Sequence, residues 1–428
     1  MDGDWDEDWD EDYYERTGPV GYGFIRENAP IYILLTIVLI IISIFLYIKL
    51  AFPFWNAQPV YHVYDFWRCL YSRPFYIYSK FHPKIRTRFC KPDSVDIVSF
   101  VDATDDKKKA FVNMIQCYSV MDENAMCVFH LENLDTYFSG HIYGSYLSFY
   151  KDVHYTLRDQ ELVKSENPRG CISSRSGVLY VRGLKENIYW LDHMMVTRDG
   201  DGLKIQREMF DTHLYKVGFV GWKGVQDEPI KGWLFKRVGD LLAGIVPLTR
   251  FYVRTYEIPN NPGFYNIKGY PDHVILTEIN DKNIQKMMDG LEMAQNKFGI
   301  FAMTDRANLV EMVKKGILHV FILERLGEVL TMYFFRDTRT MVQEGAVIEL
   351  VGSVLLKCSV GLFRNGFLDT LNRIKKKNGL FSRLILDNLT DNGLLDWSDW
   401  NSLGYIEGAY YTWNLVVPSF SSGFFVLF

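Results

Sequence analysis

An uncharged apolar run near the start of the chain constrains the fold most. Ile31–Ile48 reads IYILLTIVLIIISIFLYI, and with Ala29 and Pro30 it reaches the roughly 20 residues that a helix needs to cross a bilayer core. A cleaved signal peptide has a basic start, a shorter apolar region and a small-residue cleavage site, whereas this start is acidic and Lys49 follows the run. The sequence therefore predicts a retained transmembrane helix over residues 30–50.

The two flanks of this run differ in charge. Residues 1–29 hold ten acids against two arginines and repeat WDED, so we expect a disordered acidic tail, in which Trp5 and Trp9 leave a docking role open. Basic residues follow the run, beginning with Lys49 and continuing with Arg68 and Arg73. The positive-inside rule then predicts a single-pass protein whose body lies on the cytosolic side of a membrane.

The composition of the body argues against two classes of partner. Because the tail contributes −8 to the formal charge of −5, the remainder carries only +3, and no basic stripe interleaved with aromatics occurs. Nucleic acid is therefore not an expected partner. The six cysteines are scattered without CxxC spacing, so we expect no metal site and no disulfide framework, and a reducing compartment.

The stretch Asn187–Tyr215 predicts a strand, a turn and a helix in that order. Ile188–Val196 is mostly apolar or aromatic, as in a strand covered on both faces, and Thr197–Gly202 breaks it. Apolar residues then recur at helical spacing from Leu203 onward, with charged residues on the other side. This order brings the start of a helix directly behind a buried strand.

The start of that helix is a candidate phosphate site. The first amides of a helix have no intrahelical partner, so with the positive end of the helix dipole they can hold a phosphate, such as the pyrophosphate of CoA. The candidate contacts are Thr197, Arg198, Gly200, Gly202, Leu203 and Lys204. Short glycine motifs are common, so a strand, turn and helix without a ligand is the alternative.

The second half of the body repeats this α+β plan. Val320–Arg325 and Val329–Arg336 flank Leu-Gly-Glu and predict a hairpin, and a strand at Ala346–Cys358 leads into a helix of 3.6-residue period. The remaining predicted elements are a strand at Leu384–Asp387, a short helix at Leu394–Trp400, and strands at Tyr410–Val417 and Phe424–Phe428. Arg254–Pro262 has the composition of a linker, which favours two similar units, residues 51–255 and 256–428, over one large sheet.

Several separate segments resemble the N-myristoyltransferase family. Phe54-Trp55 with Gln58-Pro59-Val60 resembles the family's FW-x-x-QPV, and Tyr410–Asn414 followed by Pro418 is similar to its YYLYNW-x-x-P. Tyr256–Pro262 and Asp387–Asn392 resemble YRLPENP and DLMEN, in the same order along the chain. The resemblance spans about Phe54–Phe428 and implies two tandem GNAT-like halves, an acyl-CoA N-acyltransferase fold with an acyl-CoA site in the first half and a peptide site in the second.

The resemblance also implies a reaction. Myristoyl-CoA would be the co-substrate, and the acceptor would be the N-terminal glycine of a protein or peptide. Such an amine has a pKa of about 7.7–8.0, so it must lose a proton before it attacks a thioester. By resemblance the α-carboxylate of Phe428 is the base, and the backbone amides of His193 and Met194 stabilise the thioester oxyanion. The side chain of His193 is expected to be packed rather than catalytic.

The chain departs from the family in the phosphate turn. The family's arginine-rich RSKR segment is replaced by Asp201-Gly202-Leu203-Lys204, and Asp192 stands where the family tends to have asparagine. A carboxylate near a pyrophosphate is unfavourable, although three nearby bases outnumber the two acids of the turn. These changes leave a second interpretation open, a non-catalytic relative that serves as a structural or interaction protein of a membrane, such as that of a virion.

Overall fold

The computed structural model describes residues 20–65, 73–79, 86–118, 125–158, 161–198, 200–223, 230–261, 264–265, 267–417 and 423–427. The chain forms two compact units, residues 1–56 and 57–428. The finer division of the body at residues 51 and 256 stays a prediction. Most of the acidic tail lies outside the described residues.

The first unit contains two helices, α1 (Val20–Ala51) and α2 (Pro53–Asn56). In the described residues, α1 is the helix that is long and apolar enough to cross a membrane, over the 23 residues Ala29–Ala51. The helix begins ten residues before the predicted residue 30, so the last part of the predicted tail is helical. Pro30 lies inside this helix and supplies no backbone N–H, so the extension before the apolar run is not explained by helix propensity.

The second unit is an α+β body. Its helices are α3 (Asp105–Tyr118), α4 (Leu131–Phe138), α5 (Gly202–Lys223), α6 (Ile284–Lys297), α7 (Arg306–Lys314) and α8 (Val360–Lys377). Its strands are β1 (Phe75–Tyr76), β2 (Val95–Ser99), β3 (Ala125–Cys127), β4 (Tyr146–Arg158), β5 (Glu161–Val181), β6 (Leu184–Val196), β7 (Gly232–Val238), β8 (Thr249–Glu257), β9 (Val274–Glu278), β10 (Ile300–Thr304), β11 (Leu318–Arg325), β12 (Glu328–Val342), β13 (Gly345–Leu355), β14 (Phe381–Asp387), β15 (Ser402–Trp413), β16 (Leu415–Val416) and β17 (Phe424–Leu427).

One continuous sheet runs through the body. Its order is β17-β10-β5-β6-β7-β15-β8-β14-β13-β12-β11-β9, with β4 on β5, β2 on β4 and β3 on β12, while β1 and β16 pair separately. The α+β class is confirmed. The strands of both predicted units join in this one sheet, so a continuous sheet and the predicted division at residue 256 occur together, and the division itself stays a prediction. The predicted linker Arg254–Pro262 begins inside β8, which joins β14 to β15 at the centre of the sheet.

Two segments of the sheet share a plan. An antiparallel pair, β5 and β6, is followed by α5 and a parallel partner, β7, and the pair β12 and β13 is likewise followed by α8 and the parallel β14. The predicted helix over α8 and the hairpin β11–β12 are confirmed. Parallel strands need a long crossover connection because a tight turn cannot join them, and here α5 and α8 lie in these connections.

The predicted short helix at Leu394–Trp400 is wrong. The structure has a single 3₁₀ turn at Asn392–Leu394, and the chain after it is irregular. Asp396 Oδ1 accepts hydrogen bonds from the Ser398 amide at 3.2 Å and from the Ser398 hydroxyl at 2.8 Å. Such local bonds from an aspartate offer the backbone an alternative to the helix.

Strand β17 packs between two hydrophobic clusters. Phe425 and Leu427 belong to a cluster with residues of β11, β12 and α6, whereas Phe424 and Val426 pack with residues of β5, β6 and β7. Phe425 stacks on Phe301 of β10 with ring centroids 4.6 Å apart. The alternation of side chains along a strand lets β17 contribute to both clusters at once.

Candidate functional site

The candidate site begins where β6 and β7 separate. The two parallel strands pair only from Ile188 and Gly232 to Leu191 and Phe235. Beyond this point β7 continues along β15, and in the described part of the chain β6 has no strand partner on that side. One edge of Asp192–Val196 therefore has no strand partner among the described residues.

A β-bulge interrupts β6 at this opening. Ser173 of β5 faces Asp192 and Cys171 faces Met195, so that His193 and Met194 together oppose a single residue of β5. His193 has a φ of 50°, a left-handed conformation that is uncommon for a residue other than glycine. A bulge turns backbone groups out of the regular ladder. The two residues predicted to supply oxyanion amides are those of the bulge.

The side chain of His193 is packed against a hydroxyl group and several aromatic rings. Its Nδ1 lies 3.0 Å from the Ser173 hydroxyl, and aromatic rings of Phe111, Tyr137 and Phe138 surround the imidazole at centroid distances of 5.1–6.3 Å. Burial lowers the pKa of His193 to about 4. The imidazole is therefore neutral at physiological pH, and a role as a cationic catalyst is unfavourable.

Asp192, next to the bulge, forms an ion pair within the sheet. Its Oδ2 accepts hydrogen bonds from the Tyr137 hydroxyl at 2.8 Å and from Arg175 Nε at 3.2 Å. Arg175 is fully buried, and its guanidinium also lies 4.0 Å from the centroid of the Tyr137 ring. Burial would raise the pKa of Asp192, but the charge of Arg175 holds that pKa below its usual range. The carboxylate fixes the residue that precedes the bulge.

Two more buried ion pairs lie close to this one. Arg336 of β12 donates to Glu349 of β13 at 2.9 Å, and Lys236 Nζ of β7 lies 2.7 Å from Asp387 Oδ2 of β14. The charge of Glu349 raises the pKa of Arg336 against the effect of burial. Burial raises the pKa of Asp387, which Lys236 opposes. Three cations and three carboxylates thus balance one another.

The predicted phosphate turn directly follows β6. The structure starts α5 at Gly202, one residue before the predicted position, and Arg198, Gly200, Leu203 and Lys204 are exposed there. The amide of Thr197 is already bonded to Arg169 O at 2.9 Å. Neither Gly200 nor Gly202 has a positive φ. The bulge, which ends at Met194, and the start of α5 at Gly202 are thus eight positions apart along the chain.

The predicted base, Phe428, lies outside the described residues. Strand β17 ends at Leu427 abreast of Met303, and the next residue of β10, Thr304, accepts a hydrogen bond from Arg175 Nη1 at 3.2 Å. The described end of β17 therefore runs alongside the strand that leads to the Arg175–Asp192 pair. The sequence offered one signal for Arg175 that was missed, a charged residue within the otherwise uncharged run CISSRSGVLYV.

The segments that resemble the N-myristoyltransferase motifs form a structural network. Gln58 donates to Asp211 of α5 at 2.9 Å and accepts a hydrogen bond from the Trp413 indole at 2.9 Å. The amide of Asn414 donates to Pro59 O at 2.7 Å. Burial raises the pKa of Asp211. These contacts attach both ends of the body to the helix that starts at the phosphate turn.

Among the residues that the structure describes, no group of three or more histidines, cysteines, aspartates or glutamates is arranged to hold a metal ion.

The fold is that of N-myristoyltransferase. A crystal structure of Saccharomyces cerevisiae N-myristoyltransferase with bound myristoyl-CoA is similar over 86% of this chain and 93% of its own, with a TM-score of 0.63 and 12% identity. Two further structures of the yeast enzyme, one with bound myristoyl-CoA and one with myristoyl-CoA and inhibitors, have TM-scores of 0.62 and 0.61 at 13% and 14% identity, and each covers 85% of this chain and 88% or 89% of its own.

No protein-family model matches the sequence, and no curated protein matches it either. The resemblance that the motifs indicated is therefore confirmed at the level of the fold, in a chain whose sequence has diverged far.

Proposed function

We propose that the protein is an acyltransferase that moves myristate, or a similar acyl group, from CoA to the N-terminal glycine of a protein or peptide. One observation carries the proposal: β6 leaves β7 at Leu191, bulges at His193 and Met194, and leads to the start of α5 at Gly202. The fold that contains this arrangement is the fold of enzymes crystallised with myristoyl-CoA.

Each part of the arrangement suits one step of acyl transfer. Amides at the start of α5 would hold the CoA pyrophosphate, with Arg198 and Lys204 beside it. The amides of His193 and Met194 would stabilise the oxyanion that forms when the amine attacks the thioester. The base is expected, by resemblance, to be the α-carboxylate of Phe428, which would accept the proton of the attacking amine. CoA then leaves as the thiol.

The proposal includes a membrane anchor. Helix α1 contains a 23-residue segment of suitable length and composition, and most of the large apolar side chains in that segment are exposed. Bases follow the apolar run and acids precede it, which favours a body on the cytosolic side. Acyl-CoA is a cytosolic metabolite, so this orientation agrees with the proposed co-substrate. The acceptors would be proteins that reach the same membrane surface.

A second function is favoured by one feature of the phosphate turn. Asp201 is exposed at the start of α5, where a carboxylate repels a pyrophosphate. A relative that had lost acyl transfer could keep this fold as a structural or interaction protein of a membrane, including a virion membrane. The two functions differ in whether acyl-CoA binds and reacts.

The test uses the full chain in detergent micelles with myristoyl-CoA and an octapeptide that begins with glycine. Mass spectrometry of the peptide should show the added acyl chain, and a thiol reagent should show an equal amount of free CoA. An otherwise identical peptide with an acetylated N-terminus is the control. If CoA esters of several chain lengths bind but none is transferred, the structural function replaces the proposed one.

A further inference from the structure

The second oxygen of the Asp387 carboxylate has no hydrogen-bond partner among the described residues. Oδ2 is paired with Lys236, whereas Oδ1 is buried without a donor, and the side chain as a whole is only 10% exposed. An ionised carboxylate can only accept hydrogen bonds. A buried acceptor that lacks a donor costs about 1–3 kcal/mol, so this oxygen is suited to a ligand that supplies one.

Lys236 connects Asp387 to the candidate site. Leu191 and Phe235 are the last paired residues of β6 and β7, so the residues that follow them, Asp192 and Lys236, stand at the point where the strands part. From there the side chain of Lys236 passes over the ring of Phe251, at 5.1 Å, and reaches Asp387. The carboxylate therefore belongs to the same buried group of charges as the Arg175–Asp192 pair.

The surroundings of Asp387 favour a cation. The charged groups that face it are Lys236 from β7, Glu349 from β13 and Arg336 from β12. Glu349 and burial both disfavour the charged form of Asp387, whereas Lys236 stabilises it. A second ammonium would stabilise the charged form of Asp387 against both burial and the charge of Glu349. The contact with Lys236 shows that this carboxylate accepts an alkylammonium in suitable geometry.

We propose that Asp387 binds the ammonium of the acceptor's N-terminal glycine through Oδ1. This inference rests on the proposed acyl transfer and names a residue that selects the acceptor before the amine is deprotonated. An ammonium supplies three donors and a positive charge, so one of its N–H groups can satisfy Oδ1 while the charge stays close to the opening in β6. Asp387 is an acceptor-binding residue here, and the chain end keeps the expected role of base.

The test measures preference for the ammonium rather than activity alone. Binding of an octapeptide that begins with glycine is compared, in the presence of a non-hydrolysable myristoyl-CoA analogue, with binding of the desamino peptide, in which an acetyl group replaces the glycyl group. The wild-type protein should bind the first peptide about 10- to 100-fold more tightly, as expected from a buried charge-assisted hydrogen bond. Asp387→Asn should bring the two affinities within about 3-fold of each other, since the ammonium loses the charge of its partner.

Asp391→Asn is the matched control. Asp391 follows four residues later, has the same 10% side-chain exposure and also pairs with a lysine, Lys297, but its Oδ2 additionally accepts from the Leu355 amide at 2.7 Å. The ammonium preference should survive this change. A thermal melt of each variant shows whether it has folded, and if Asp387→Asn has not, Lys236→Gln keeps the carboxylate, removes the competing cation and should increase the preference.

Retention of the preference in Asp387→Asn, or its absence in the wild-type protein or in Lys236→Gln, would overturn the inference. If the proposed function itself is wrong, the result is different: the wild-type protein transfers no acyl group, whichever of the two peptides it binds more tightly.

Discussion

Alanine at Gly202 separates the two roles that the start of α5 can have. Gly202 is the first residue of this helix, and its φ is not positive. A Cβ built there would lie 3.6 Å from Thr197 O and 3.9 Å from Val196 Cγ1, which are ordinary contact distances. The fold has room for the methyl group. Because alanine also loses less conformational freedom than glycine on folding, Gly202→Ala should raise the free energy of unfolding by about 0.5–1 kcal/mol.

Ligand binding should change in the opposite direction. If the pyrophosphate of CoA approaches the amides of Gly202 and Leu203, a methyl group on Gly202 stands where the phosphate oxygens must pass. Loss of one or two charge-assisted hydrogen bonds, at about 1.5–3 kcal/mol each, corresponds to at least a 10-fold weaker affinity. A variant that is more stable but binds CoA more weakly indicates a phosphate site, whereas a variant that is only more stable indicates a helix start that binds nothing.

Calorimetric titration with CoA and with myristoyl-CoA measures the affinity, and urea unfolding measures the stability. Gly361→Ala is the control, since Gly361 is the second residue of α8, has no positive φ and has no atom within 4 Å of a built Cβ. Both variants should be at least as stable as the wild-type protein, but only Gly202→Ala should lose CoA affinity. Equal CoA affinity in all three proteins would refute the phosphate site at this turn.

Four further outcomes are expected. Asp201→Arg should tighten CoA binding by about 5-fold at low ionic strength and less in high salt, since the residue is exposed; titration at two salt concentrations checks this. Arg175→Met should lower the free energy of unfolding by about 3–5 kcal/mol at pH 7. Because Arg175 depresses the pKa of Asp192, the pair stabilises the wild-type fold at pH values above the ordinary aspartate pKa of about 3.9. This stabilisation is lost as the pH falls through the lower pKa that Asp192 has in the folded protein. The difference in unfolding free energy between wild type and variant should therefore shrink in urea titrations toward pH 3. A glycine added after Phe428 should slow peptide acylation about 100-fold or more while CoA affinity persists, and equal rates would contradict the chain-end base. Protease added to sealed vesicles with the cytosolic face outward should digest the body, and protection would reverse the proposed orientation.

The sequence predicted elements whose signal is local. The hairpin β11–β12 has a Leu-Gly-Glu turn between apolar runs, and α8 has a regular apolar period and three lysines, Lys375–Lys377, in its last turn. Strand β8 was missed for the opposite reason, since TRFYVRTYE carries arginines and threonines that suggest a polar connection. Its burial is supplied by β14 and β15, which come from more than 120 residues away. Only long-range pairing makes it a strand at the centre of the sheet.

The candidate site likewise has a part that the sequence predicts and a part that only the fold reveals. The turn and the start of α5 are visible in the sequence because glycines and a change of period mark them. The bulge at His193 and Met194 is a matter of register between β5 and β6, and a register shift leaves no pattern in one strand alone. The pair of Lys236 and Asp387 joins residues 151 positions apart, so neither residue signals the other. Charged residues in apolar strands were the available sign, and they require a partner that only the fold supplies.

The motifs that indicated the family do not decide between the two functions. Gln58 holds Asp211 of α5 and the Trp413 indole, and Asn414 bonds the backbone at Pro59, so these residues fix the two ends of the body against the helix that follows the phosphate turn. A protein that had lost catalysis would need the same contacts in order to fold. The residues that separate an enzyme from a structural relative are therefore those whose geometry the fold does not require. Gly202 without a positive φ, a bulge with a left-handed residue and a buried carboxylate oxygen without a donor among the described residues are features that a bound ligand would account for, so the decisive experiments are binding measurements at these positions.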